Sequence, residues 1–197
     1  MQSRVVHGGF KVTFRNLRFA LIVWIFAAVP VSAELTGQLK ISGQTLLLNG
    51  SGMRTKTFVH VYESGLYLLA PSRDAHTIMA SDELMAIRVK ITSGFVDRDS
   101  LVASLQEGLR MSTGGKSHEI AGQTKMFVDI LKDEVKKNDI YDFVHIPNNG
   151  LYILKNGTVQ GTIPGLAFKK ALFGIWISDA PVDKNLRQAM LSGGVQR

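Results

Sequence analysis

The chain has 197 residues, 45% of them hydrophobic and 20% charged, with a formal net charge of +7 and no cysteine. A chain of this size and composition folds as one ordinary domain, with a leader where one exists, and can bury a core; disorder, a collagen-like repeat and a disulfide scaffold are excluded. The positive charge would argue for nucleic acid only if the basic residues belonged to the folded part.

Residues 1–18 contain Arg4, Lys11, Arg15 and Arg18 and no acid. An apolar run follows from Phe19 to Val29, then Pro30 and Val31-Ser32-Ala33. A basic start, an apolar middle and a small-residue junction form the order of a secretory signal peptide. The run is too short to cross a bilayer, which takes about 20 residues. The expected division is therefore a signal peptide over 1–33 and one domain over 34–197, in a periplasmic or secreted protein. An uncleaved N-terminal anchor is the alternative. Without the leader's four basic residues the surplus falls from +7 to +3. No cluster of Lys and Arg interleaved with aromatics remains to support nucleic-acid binding.

Gln38–Ile41 and Gln44–Leu48 flank Ser42-Gly43 and predict a hairpin. Asn49-Gly50-Ser51-Gly52 predicts a break in the chain. Thr57–Leu69 is aromatic and β-branched and predicts one long strand. His76–Ala80 predicts a short helix. Met85–Ile91 alternates, with Arg88 and Lys90 on a wet face. Asp97 is a good N-cap for a helix of about 14 residues carrying Leu101, Val102, Leu105 and Leu109 inward. A second helix is expected from Glu119 to Lys136. Ile140–Ile146, Leu151–Lys155 and Thr158–Ile163 predict strands, the last two joined by Asn156-Gly157, a strong hairpin pair. Helices follow Pro164-Gly165 and span Asp183–Leu191. Segregated strands and helices predict an α+β fold, with an antiparallel sheet and helices on one face.

Few catalytic patterns are present. There is no cysteine nucleophile. His60, His76, His118 and His145 lack metal-ligand spacing, so no metal site and no cofactor is expected. Gly50-Ser51-Gly52 lacks the spacing of a nucleophile elbow, and no phosphate loop is expected because a strand rather than a helix follows it.

One stretch carries more. Gly50-Ser51-Gly52-Met53-Arg54, followed by Phe58-Val59-His60-Val61-Tyr62 and Gly65-Leu66-Tyr67-Leu68, resembles the chalcone isomerase superfamily, in particular its bacterial chalcone isomerase-like branch. Val96–Leu101, Asn156-Gly157 to Phe168, Ile175-Trp176-Ile177 and Pro181–Leu186 resemble its later segments in the same order. The resemblance covers residues 37–193. It implies an open-faced β-sandwich, a large antiparallel sheet with a layer of helices on one face and a ligand cleft between them. Some members cyclise chalcones there; others lack the catalytic set, and some bind fatty acids.

Carried over position by position, the family's arginine falls on Arg54 and its strand threonine on Tyr62. Its helix tyrosine falls near Ser100, its helix asparagine near Glu107 and its late threonine near Ile175. Most of the polar set that holds a chalcone is therefore replaced, and chalcone cyclisation is not expected. The leading reading is an exported binding protein for a small apolar ligand with an anionic head, a fatty or aromatic acid, held by Arg54, Tyr62 and Ser100. Two alternatives stay open. One is an isomerase or lyase acting on a phenolic or enone-type substrate, with Arg54 as oxyanion stabiliser and Tyr62 as proton donor or acceptor; the other is a structural or partner-binding module of the envelope. Bland readings stand beside these: Arg54 pairing with a carboxylate at a strand end, Tyr62 as a core tyrosine, Trp176 and Phe168 as core. Geometry adds a condition. On a straight strand Arg54 and Tyr62 would lie about 26 Å apart at 3.3 Å per residue. Either the chain turns near Thr55-Lys56 or only one of them lines a site.

Overall fold

The computed structural model describes residues 35–194, so the expected leader lies outside the described residues. The strands are β1 (Gln38–Ile41), β2 (Gln44–Lys56), β3 (Val59–Leu68), β4 (Met85–Ile91), β5 (Ile140–Ile146), β6 (Gly150–Lys155) and β7 (Thr158–Ile163). They form one antiparallel sheet in the order β1-β2-β3-β4-β5-β6-β7, each pairing with its sequence neighbour. The helices are α1 (Ala75–Ala80), α2 (Arg98–Ser112), α3 (Ala121–Ile130), α4 (Leu166–Ile177) and α5 (Lys184–Met190). They pack on one face of the sheet, which is the expected α+β arrangement.

Three two-residue hairpins have both central residues at positive φ, the geometry that suits the twist of paired strands. Two are Ser42-Gly43 and Asn156-Gly157. The third is Thr57-Phe58, at φ 46° and 69°. It corrects the expected Thr57–Leu69 strand: the chain reverses at these two residues, and Lys56 pairs with Val59. The expected break at Asn49–Gly52 is also absent. β2 runs through it, with a bulge at Asn49 between the pairs Leu48–Tyr67 and Gly50–Leu66. Asn49 is fully buried. Its side chain donates to the carbonyls of Ser72 and Met190 and accepts from Ser72 N–H, each at 2.8 Å. The glycines beside it serve packing. A Cβ on Gly50 would lie 2.0 Å from the Ala189 carbonyl oxygen, and one on Gly52 would lie 3.0 Å from Ala189 Cβ. α5 therefore crosses directly over β2.

The main core lies between the sheet and the helices. Met85, Ile87, Val89 and Ile91 of β4 face Leu101, Leu105 and Leu109 of α2 and the apolar side of α4. Phe143 stacks on Trp176 with ring centroids 5.8 Å apart, and Phe127 meets Phe168 edge-on at 5.5 Å. α2 and α4 approach closely at Gly108, where a Cβ would be 2.8 Å from Ile175 Cγ2. Asp97 caps α2 as expected, in a reciprocal capping box with Ser100. The second expected helix is shorter. Arg98 Nε donates to the Leu131 carbonyl at 2.9 Å, capping α3 at Ile130, and buried Val135 then redirects the chain towards β5.

The other face of β4 is not wet. Arg88 is 7% exposed and forms a bidentate pair with Asp142 on β5, at 2.7 and 3.0 Å. A smaller apolar cluster, including Leu46, Tyr67, Ala86 and Val144, fills the same side. Buried polar groups also hold the α1 end. Lys169 Nζ donates to the carbonyls of Ile78, Met79 and Ser81, satisfying the last turn of α1. His145 is 2% exposed and bonds Asp82 at 2.7 Å. Burial lowers the His145 pKa below 6.5, against the opposing pull of Asp82. The unfolded chain therefore takes up this proton before the folded one does, so stability rises with pH through this range and is lost as pH falls below about 6.5. Urea denaturation should show a lower unfolding free energy at pH 5 than at pH 7, and His145→Gln should flatten that difference. An unchanged slope in the variant would assign the pH dependence elsewhere.

Candidate functional site

The hairpin at Thr57-Phe58 brings the two strand candidates together. Arg54 on β2 and Tyr62 on β3 are direct cross-strand partners. The Arg54 guanidinium carbon lies 5.9 Å from the Tyr62 ring centroid, within cation–π range. Between the pairs Thr55–His60 and Arg54–Tyr62, β3 carries one extra residue, Val61. Such a bulge resets the alternation of faces, so Val59, Val61 and Tyr62 all face the same hollow.

That hollow is a cleft of about 310 Å³ between the end of the β2–β3 hairpin and helices α2 and α4. Val59, Val61, Val96, Leu101, Leu105, Ile175 and Val182 supply its apolar wall. Arg54, Lys56, Tyr62, Ser93, Ser100 and Ser104 supply its polar groups. Arg54, Tyr62 and Ser100 thus line one cavity. Ile175 lines it too, whereas Glu107 turns away and pairs with Arg110 at 2.6 and 2.8 Å. A larger hollow of about 580 Å³ lies between β2 and α5, lined by Asn49, Glu63, Arg73 and Gln188 among others. None of the three candidates lines it.

The polar groups differ in what they have left to offer. Arg88, Arg98, Arg110 and Arg187 each pair with a carboxylate. Arg54 pairs with none among the described residues, although it is half-buried. Tyr62 is 7% exposed, and its hydroxyl accepts a hydrogen bond from Trp176 Nε1 at 3.0 Å. Burial pushes the Tyr62 phenol above its usual pKa, outweighing the lowering by Arg54 and by the Trp176 hydrogen bond. It therefore stays protonated at neutral pH. Its oxygen is already served as an acceptor, and its own proton has no acceptor among the described residues. The Ser100 hydroxyl is committed: it accepts from Asp97 N–H and donates to the Asp97 carbonyl. His60 lies on the exposed outer end of β3, 3.1 Å from Thr55 Oγ1. Among the described residues no three His, Asp or Glu groups are placed to hold a metal ion.

Sequence reasoning passed over Lys56, Ser104, Phe95 and Val182. Two of them carried a signal. Lys56 shares Arg54's face two residues on, and Ser104 is one helical turn after Ser100.

A curled antiparallel sheet with helices on one face, opening a small cleft at one end, defines an open-faced α+β domain. The chain belongs to the chalcone isomerase-like family, whose model matches residues 30–192. It is similar to a curated protein of Arabidopsis thaliana described as fatty-acid-binding protein 1, at 24% identity over 121 residues. That match covers 58% of this chain and 42% of the relative, so it spans less than half the relative's length. A crystal structure of a fatty-acid-binding protein from Arabidopsis thaliana superposes with a TM-score of 0.65 at 22% identity, covering 81% of this chain and 92% of the other. That likeness is one of fold.

Proposed function

We propose that this protein is a non-catalytic binder of a small apolar carboxylate, a fatty acid or an aromatic acid, held in the cleft between the β2–β3 hairpin and helices α2 and α4. The observation that carries the reading is a half-buried Arg54 with no carboxylate partner among the described residues, in an otherwise largely apolar cleft. A ligand carboxylate supplies the missing partner: the guanidinium donates two N–H groups in a fork that matches it. The Tyr62 O–H, oriented by Trp176, donates a third bond. Val61, Leu101, Leu105, Ile175 and Val182 then hold the apolar body. Similarity to proteins named for fatty-acid binding supports this ligand class. A raised Tyr62 pKa favours binding over proton-transfer catalysis, and Asp183, the acid near Tyr62, is committed to capping α5. The leader-like run over residues 19–33 supports export to a periplasmic or extracellular setting.

Native mass spectrometry and titration with a medium-chain fatty acid test the proposal. Wild-type protein should bind one equivalent. Arg54→Ala should weaken binding about 10- to 100-fold, the range expected for hydrogen bonds to a charged group, and Tyr62→Phe should weaken it less. Equal affinity in wild type and Arg54→Ala, or no binding of fatty or aromatic acids by a folded wild type, would overturn it.

A further inference from the structure

The cleft opens beside the two most exposed aromatic side chains among the described residues. Phe58, at the tip of the β2–β3 hairpin, is 97% exposed, and Phe95, in the loop between β4 and α2, is 91% exposed. Val59 and Met53 beside them are about 40% exposed. These are not scattered. Thr57 and Val59 flank Phe58 and line the cleft, as do Phe95 itself and its neighbours Ser93 and Val96. Thr92 fastens the two loops together: its N–H donates to the Val61 carbonyl at 3.1 Å and its hydroxyl to the His60 carbonyl at 3.0 Å. Phe58 stands in the left-handed region at φ 69°, where a bulky residue is rare and its side chain is held away from the core. A fold that presents two phenylalanines at the rim of one opening shows water a surface that costs solubility and calls for a partner.

The charges at the rim indicate which partner. Arg54 and Lys56 lie on the cleft side of β2 with no carboxylate paired to either among the described residues. The acids nearby are engaged: Asp97 caps α2, Asp183 caps α5, and Asp99 is paired with Arg98. Two phenylalanines flanked by free cations match the interface of an anionic bilayer. There the aromatic rings enter the headgroup–acyl boundary and the exposed Lys56 meets lipid phosphates, while half-buried Arg54 stays with the cleft. No helix among the described residues is long and apolar enough to cross a membrane.

We infer that the mouth of the cleft docks on an anionic lipid bilayer through Phe58 and Phe95, so that an apolar carboxylate passes between bilayer and cleft without crossing water. The route rests on the proposed ligand; the docking itself does not. The docked rim would seal the open end of the cleft, leaving Arg54 and Tyr62 inside to take the headgroup of the transferred molecule.

The chain has no cysteine, so a single introduced thiol reports from one place. Full-length Phe58→Cys, Phe95→Cys and Asn149→Cys proteins, each carrying an environment-sensitive fluorophore, are mixed with phosphatidylcholine vesicles with and without phosphatidylglycerol. Asn149 is exposed in the β5–β6 turn, at the opposite end of the sheet, and serves as the reference. Docking predicts a blue shift and quenching by spin-labelled lipid at positions 58 and 95 and not at 149, with the effect dependent on phosphatidylglycerol. Lys56→Gln should weaken adsorption about fivefold, the share of one cation at an anionic surface. No change at 58 and 95, or an equal change at all three positions (the leader-like run alone bringing the chain to lipid), would overturn the docking. So would a shift at 58 and 95 without vesicles accompanied by a dimer mass, which would place a second copy on the rim. Ligand titration of the same proteins separates the two proposals: fatty-acid binding without docking sinks only the docking, and docking without ligand binding sinks the ligand reading.

Discussion

Asp142→Ala is expected to destabilise the protein by about 3–5 kcal/mol, because it leaves the Arg88 guanidinium buried without its counter-charge. The pair sits inside the sheet's second face, with side chains 9% and 7% exposed. Tyr67, Ala86 and Val144 pack on the same side, so water cannot easily replace the carboxylate. The double replacement Arg88→Met with Asp142→Leu should recover much of the loss, since a buried pair contributes little net stability compared with apolar side chains of similar size. Urea denaturation followed by circular dichroism reads both. A single variant as stable as wild type would mean that Arg88 escapes to solvent, and the second face would then be looser than the structure shows.

Trp176→Ala is expected to cost about 3–5 kcal/mol, the usual range for emptying a buried indole site. Trp176 is 1% exposed and stacks on Phe143 at the junction of α4 and the sheet. The same change should reach the cleft, because it removes the N–H that serves the Tyr62 hydroxyl. Trp176→Phe separates the two effects. It keeps most of the packing and should lose less stability, yet it still removes the donor, so ligand affinity should fall towards that of Tyr62→Phe. Thermal denaturation and ligand titration on the two variants form the check. Full affinity in a stably folded Trp176→Phe would show that Tyr62 needs no help to hold its orientation.

The sequence was most legible where a residue type answers to one geometric demand. Asp97 caps a helix where expected, the last helix begins within a residue of the expected Asp183, and Ser42-Gly43 and Asn156-Gly157 turn where expected. Thr57-Phe58 makes the same kind of turn without glycine or asparagine, so nothing local announced it; the pairing of β2 with β3 imposes the positive φ values. Asn49–Gly52 gave the opposite error. Its composition signals a loop, but Asn49 meets its polar needs inside a bulge, in part from Met190 141 residues away, and the glycines yield space to α5. Arg88 looked solvent-facing because its partner is 54 residues distant, and alternation along one strand carries no information about another. Arg54 and Tyr62 could be singled out from the sequence. Their adjacency could not, since it depends on that unannounced turn.

The crossing of α5 over β2 also sets an order of assembly. Every strand pairs with its neighbour in sequence, across tight turns except where α1 intervenes between β3 and β4 and α2 and α3 between β4 and β5, so the sheet forms largely from contacts local in the chain. The clasp of Asn49, Gly50 and Gly52 with residues 186–194 is different: it joins opposite ends of the domain. Val182, just before α5, completes the cleft wall. A chain still emerging from the ribosome can therefore pair its strands before α5 exists, but it has neither a fastened β2 nor a finished cleft until that last helix arrives.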